Sequence, residues 1–273
     1  MSLVDAIILG LIQGLTEFLP VSSSGHLALA KPVLDIDAEA GQFSALVVFV
    51  HLGTAFSVIT VYRQQVATIL LQTVRVCGTP SRAWVEYKKN EPFRQAVLIA
   101  VTLVPTAIAF LFMKDTIDAF FDAPQWVGAM LIVTALLLTL TLLRPKPSGH
   151  LNIGKALLIG CAQSFAMLPG ISRSGSTIAA ALCLDVDREH AANFSFLMAL
   201  PVILAGALIE GKDLLKEGIA SEQWTLLLAA TLTAYLSGLI AIKLVLQVVK
   251  RGKLQYFAAY CLAAGILALI LVR

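Results

Sequence analysis

The sequence predicts an all-α integral membrane protein with six transmembrane helices and two re-entrant helix–loop–helix hairpins, arranged as an inverted-topology repeat. Three observations predict it. The chain is 58% hydrophobic and only 14% charged over 273 residues, whereas a soluble domain carries about 25% charge; its mean hydropathy is +0.86. Six apolar stretches approach the roughly 20 residues that a bilayer-crossing helix needs. Two further apolar segments are broken by proline and polar residues, and the two breaks resemble each other.

In chain order, residues 1–150 form the first repeat, with a hairpin at 3–31 and spans at about 43–62, 95–113 and 125–143. Residues 151–273 form the second, with a hairpin at 155–184 and spans at about 191–209, 224–245 and 254–272. The opening "MSLVDAIILG" lacks a basic region ahead of its apolar run, so the first segment is expected to stay in the fold. The hairpin at 3–31 is interrupted by "FLPVSSSGH" and the one at 155–184 by "LPGISRSGS". Pro20, Pro169 and Gly170 oppose a continuous helix through either break, and each half is too short to cross alone.

With an offset of 150, Gly10 aligns with Gly160, Gln13 with Gln163, Ser22 with Ser172, Ser24 with Ser174 and Gly25 with Gly175. The next span repeats too, "FSALVVF" at 43–49 against "FSFLMAL" at 194–200. Three spans per half invert the second copy in the membrane. Charge agrees. The segments 63–94, 144–155 and 243–253 hold most of the Lys and Arg, while the opposite side has Lys31, Lys114, Lys212, Lys216 and Arg273 among carboxylates such as Asp35, Asp37, Glu39, Asp115, Asp118 and Asp122. The basic side is expected to be cytoplasmic, which places both termini outside and brings the hairpin tips together near the midplane. Segment 63–94 is expected to be a loop with one amphipathic surface helix around "RAWVEYKK".

An arginine at bilayer depth costs about 2.5–3.5 kcal/mol on insertion scales, so Arg173 calls for a reason. Irregular backbone at that depth persists where it lines a cavity. Arg173 has the fork geometry for phosphate or carboxylate. Ser172, Ser174, Ser176 and Thr177 supply hydroxyls, Gly25 and Gly175 allow close backbone approach, and helix N-termini favour anions. The first tip adds Glu17, Ser22, Ser23, Ser24 and His26. Gln13 shares a helix face with Glu17, and Ser23 is placed to meet His26. Together these offer a nucleophile, an acid/base and a charge clamp. Glu17 with a phosphate is also a candidate site for a divalent cation, Mg2+ or Ca2+. A plainer reading makes Glu17 and Arg173 a buried ion pair fixing the hairpins, and His26 a core histidine; His51 is either core or cavity lining.

Cys77, Cys161, Cys183 and Cys261 lack zinc or disulfide spacing and read as core residues. "RPKPSGH" at 144–150 reads as a connector between the halves. No basic stripe with interleaved aromatics suggests nucleic acid.

"QGLTEFLPVSSSGHL" (13–27) and "LPGISRSGST" (168–177) closely resemble the two signature motifs of the bacterial undecaprenyl pyrophosphate phosphatase family, (E/Q)GxTEFLPVSSxGH and PGxSRSGxT. The resemblance covers essentially the whole chain. It implies an inner-membrane enzyme, open to the periplasm, that uses a divalent cation and removes the terminal phosphate of undecaprenyl pyrophosphate, with bacitracin resistance as a consequence. Its functional positions map to Glu17, Ser23, His26 and Arg173, with Ser172 and Thr177 nearby, and Gln13 stands where many members have Glu. The chemistry expected is attack by Ser23 or a nearby water, with His26 oriented by Glu17 to move the proton. The expected partners are the lipid pyrophosphate and membrane lipids, with a homodimer as a further expectation. A carrier of an anionic substrate is the second reading, because half-helix tips at the midplane also typify transporters.

Overall fold

The computed structural model describes residues 1–33, 40–121, 125–144 and 146–271, leaving the charged positions Asp35, Asp37, Glu39, Asp122 and Arg273 outside the described residues. The described elements are helical: α1 (Leu3–Phe18), α2 (Ser23–Val33), α3 (Ala40–Val61), α4 (Arg63–Cys77), α5 (Ala83–Lys89), α6 (Glu91–Phe121), α7 (Gln125–Leu140), α8 (Ile153–Phe165), α9 (Arg173–Cys183), α10 (Arg188–Glu217), α11 (Gln223–Lys250) and α12 (Gln255–Leu271). Five helices carry stretches long and apolar enough to cross a membrane: Gly41–Val61, Glu91–Met113, Gln125–Leu143, Arg188–Lys212 and Gln223–Lys250. These match five of the expected spans. The helix at the sixth, α12, is apolar and has 17 residues, and it is not among these five.

Segment 63–94 departs from expectation. It holds two helices, α4 and α5, joined through a short 3-10 turn at Pro80–Arg82. The α4 stretch mixes Arg63, Gln64, Gln65 and Arg75 with Ile69, Leu70, Leu71 and Val74, so it fails a test for spans while keeping the spacing of an amphipathic helix. Leu70, Leu71 and Val74 are exposed, as suits a helix lying in the interface.

Both expected breaks occur. The helix α1 opens with a capping box, in which Ser2 accepts from the Asp5 amide and Asp5 accepts from the Ser2 amide. It ends at Phe18, because Pro20 holds Leu19 in an extended conformation (ψ 134°). The helix α8 ends at Phe165, three residues before Leu168–Pro169, and α9 starts at Arg173 with Ser172 as its cap.

Small residues set the packing. Gly10 and Gly14 on α1 face α11 so closely that a Cβ on either would lie 2.4 Å from the carbonyl oxygen of Ala230 or Ala234. Gly160, the repeat partner of Gly10, meets Thr102 of α6 in the same way. Gly128 of α7 and Gly265 of α12 bring that pair together. Backbones this close gain dispersion and weak polar contacts, which drive helix association where no hydrophobic difference exists between protein and lipid. Phe18, Phe194 and Phe196 are fully buried beside the breaks, the Phe18 and Phe196 rings meeting edge to face at 5.5 Å. Leu111, Phe112 and Leu236 are exposed, apolar surface suited to lipid.

Candidate active site

Each tip is a helix N-terminus built by a serine. At the first, Ser22 takes a left-handed conformation (φ 72°) and its Oγ accepts from the Gly25 amide at 3.3 Å. At the second, Gly170 is the left-handed residue (φ 93°) and Ser172 Oγ accepts from the Gly175 amide at 3.0 Å. Thr134 of α7 clamps this tip: its hydroxyl donates to Gly170 O and accepts from the Ser172 amide, both at 3.0 Å. The aligned serines pair alike, Ser22 with Ser24 at 3.4 Å and Ser172 with Ser174 at 3.2 Å.

The tips touch. A Cβ on Gly25 would lie 3.0 Å from the Gly170 Cα, and Ser174 Oγ donates to Leu19 O at 3.2 Å. Between them the Arg173 guanidinium donates to Glu17 Oε1 at 2.5 Å and to Ser195 O at 3.3 Å. The other Glu17 oxygen, Oε2, accepts from Ser23 Oγ at 2.6 Å and from Gln13 Nε2 at 2.9 Å. His51 Nε2 of α3 lies 3.9 Å from the same oxygen. One buried carboxylate thus gathers residues from four separate parts of the chain.

A cavity of about 250 Å3 opens over this cluster, lined among others by Glu17, Ser22, Ser23, Ser24, Ser172 and Arg173. His51, Thr106, Gln163 and Glu210 line it too. A larger hollow of about 330 Å3 at Lys146, Asp187, Arg188, Glu189 and Lys250 carries charge but no nucleophile.

Most predicted residues converge, and one pairing does not. Gln13 is fully buried behind Glu17. Ser174 and Gly175 build the second tip, while Thr177 pairs with Ser195 Oγ at 2.7 Å. The expected pairing of His26 with Glu17 is not what the structure holds. The His26 Nδ1–H donates to Ser22 O at 2.8 Å, and Nε2 accepts from Tyr260 OH at 2.8 Å. The left-handed Ser22 turns its carbonyl toward the first turn of α2 and draws the imidazole there; His51 takes the place beside Glu17. Of the two readings of His51, core or cavity lining, the structure has the second. The sequence does not mark Thr106, Ser195 or Tyr260, which are joined to the site only by folding, whereas Gln163 has a signal as the repeat partner of Gln13.

Gln163 Nε2 donates to Thr106 Oγ1 at 3.0 Å, and the Thr106 proton goes to Thr102 O. Thr106 therefore needs Gln163 as a donor, which leaves Gln163 Oε1 buried without a partner among the described residues.

The donor set does not fit a resident divalent cation. Glu17 is already neutralised by Arg173, and the acceptor positions of Oε2 are taken by Ser23 and Gln13. Among the described residues no group of three His, Cys, Asp or Glu side chains is placed to hold a cation.

A model of the bacitracin resistance protein BacA family matches residues 6–267. The chain is similar to proteins named undecaprenyl-diphosphatase. It shares 46% identity with that of Salinibacter ruber over 268 residues, covering 98% of each chain. The protein from Bacteroides fragilis is 38% identical over 97% of each chain. The one from Desulforapulum autotrophicum is 39% identical over 99% of this chain and 98% of that one. A membrane fold with two polar tips closed around one buried carboxylate, matched over almost its whole length, belongs to the bacitracin resistance protein BacA family.

Proposed function

We propose that the chain hydrolyses undecaprenyl pyrophosphate to undecaprenyl phosphate and inorganic phosphate. That reaction recycles the lipid carrier for envelope polymers and confers bacitracin resistance. One observation carries the chemistry: Ser23 Oγ donates at 2.6 Å to a carboxylate whose other oxygen is held at 2.5 Å by Arg173, in a cavity between two helix N-termini. A hydroxyl bonded to a carboxylate is an activated nucleophile. An arginine beside it neutralises equatorial phosphoryl oxygens as charge moves to the leaving group.

In the first step the Ser23 Oγ–P bond forms, the bridging P–O bond breaks, and undecaprenyl phosphate leaves. Glu17 Oε2 takes the Ser23 proton and passes it out through the cavity, where His51 is its nearest imidazole. In the second step water attacks the phosphoserine, Glu17 takes the water proton, and Ser23 Oγ leaves with a proton restored. His26 lies in the first turn of α2, where its bond to Tyr260 ties the catalytic tip to α12.

The topology we propose has six spans, with α12 as the sixth, and two re-entrant hairpins, α1–α2 and α8–α9, in an inverted repeat. Seventeen residues reach the short end of the spanning range. The matching glycine contacts of α1 with α11 and of α8 with α6 support the repeat. The protein sits in the bacterial inner membrane with both termini and the site mouth on the periplasmic side; the basic segments support that orientation.

The test is phosphate release from a prenyl pyrophosphate by purified protein. Release in the wild type, with phosphoserine trapped at Ser23 and lost in Ser23→Ala, supports the scheme. Wild-type rates in Ser23→Ala remove the serine step, and counterflow in liposomes without release favours a carrier instead.

A further inference from the structure

We infer that any divalent cation the reaction uses enters bound to the pyrophosphate and is not held by the protein beforehand: the ligand of this site is the cation–pyrophosphate complex. The inference rests on the phosphatase reading.

A hard cation needs several oxygen ligands, and Mg2+ is generally bound through one or two carboxylates plus the phosphates of a substrate. Glu17 is the carboxylate at the nucleophile. Its Oε1 lies 2.5 Å from the Arg173 guanidinium, and its Oε2 accepts from both Ser23 and Gln13. A cation on Oε1 would have to displace Arg173 or sit beside its positive charge. A cation on Oε2 would have to displace the serine that the chemistry needs. The Gln13 amide meets Glu17 through its Nε2–H; its Oε1 is buried without a partner among the described residues and offers a single neutral oxygen, far fewer than a hard cation needs. The cavity's other carboxylate, Glu210, already has an interaction of its own.

The anion side is different. Arg173 and two helix N-termini favour phosphate, and a pyrophosphate chelating a divalent cation presents a reduced charge to a site with one guanidinium. Ser22 and Ser24 line the cavity wall as neutral hydroxyls, which add no second charge to the site. The cation would then serve as part of the substrate and would neutralise phosphate charge beyond what the one guanidinium of Arg173 can offset.

The experiment uses the full chain in nanodiscs, Mn2+ as the probe cation, and a non-hydrolysable methylene-bridged prenyl diphosphonate. Bound Mn2+ is read by electron paramagnetic resonance against empty nanodiscs, with and without diphosphonate. The expected result is no Mn2+ retained by the protein alone, and near-stoichiometric retention once the diphosphonate is added, above that of empty discs. Arg173→Ala should lose the diphosphonate-dependent fraction. Stoichiometric Mn2+ on the protein alone, abolished by Glu17→Gln, overturns the inference. Diphosphonate bound without Mn2+ also overturns it. Failure of the diphosphonate to bind in any condition overturns the phosphatase reading, and the Mn2+ titration of the protein alone still decides whether a resident site exists.

Discussion

At the residue scale the site depends on one carboxylate satisfying four neighbours. Removing one partner of a buried ion pair leaves an uncompensated charge and costs about 3–5 kcal/mol. Arg173→Ala is therefore expected to abolish phosphate release and also to lower thermal stability. Arg173→Lys separates the two effects: it keeps the charge but loses the fork, so melting should recover more than turnover does. Equal recovery of both would make Arg173 a structural residue only. A second expectation concerns the imidazoles. His51 lies beside Glu17, whereas both nitrogens of His26 are engaged by Ser22 and Tyr260. Tyr260→Phe should then resemble a mild His26 variant, lowering turnover through the position of the tip, while His51→Phe should change kcat with little change in KM. Identical profiles for Tyr260→Phe and wild type would free His26 from that tether. The polar positions of the tips were legible in the sequence because arginine, proline and hydroxyls are costly in lipid and stand out there. The choice between His26 and His51 was not, since it turns on which carbonyl each ring finds after α3 packs against the first hairpin.

At the element scale the breaks were legible and the surface helices were less so. Pro20 ends α1 for a covalent reason, by restricting Leu19, so its effect is local and readable; α8 stops at Phe165, ahead of Leu168–Pro169. The α4 helix has no such mark; its apolar face becomes meaningful only against the bilayer interface. Two predictions belong here. Gly10→Ala places a Cβ 2.4 Å from Ala230 O, a backbone atom that moves only if α1 and α11 part. It should cost about 1–3 kcal/mol, the usual range for overpacking, read as a lower melting temperature. Gly206→Ala, with nothing within 4 Å, is the neutral control. At the start of α10, Asp187 caps the helix by accepting from the Glu189 and His190 amides. Burial pushes its carboxyl up, but the bonds from His190 and Glu189 outweigh this and hold it below its ordinary value. A depressed carboxyl stabilises the fold above its unfolded pKa and loses that contribution as pH falls through the folded one. Asp187→Ala should therefore lower stability by about 1 kcal/mol near neutral pH, the usual worth of such a cap. The gap to wild type should close in acid; a gap independent of pH would assign the loss to something other than the carboxylate.

At the scale of the whole molecule, two distant motifs share one site, each contributing one tip; the proposed inverted repeat would account for this by turning the tips to face each other. The copies are not equal. The first brings the carboxylate and the hydroxyl, the second brings the guanidinium, and Met167 stands where the offset of 150 places Glu17. The likeness of the two motifs was legible because an internal repeat is a property of the sequence as a whole. The helix contacts through Gly10, Gly128 and Gly160 were not, because a glycine's partner is chosen by the fold. Inversion itself makes the last prediction. The segment carrying Lys88 follows the first span of one half, and the turn carrying Ser221 follows the first span of the other. Both positions are exposed. In a parallel repeat they would lie on the same side of the membrane; in an inverted one they lie on opposite sides. In a cysteine-free background, Ser221→Cys should react with a membrane-impermeant maleimide in intact spheroplasts, and Lys88→Cys only after permeabilisation. The positive-inside rule fixes which of the two labels first. Labelling of both from one side would remove the inversion, and with it the reason for Glu17 and Arg173 to meet in the middle of the bilayer.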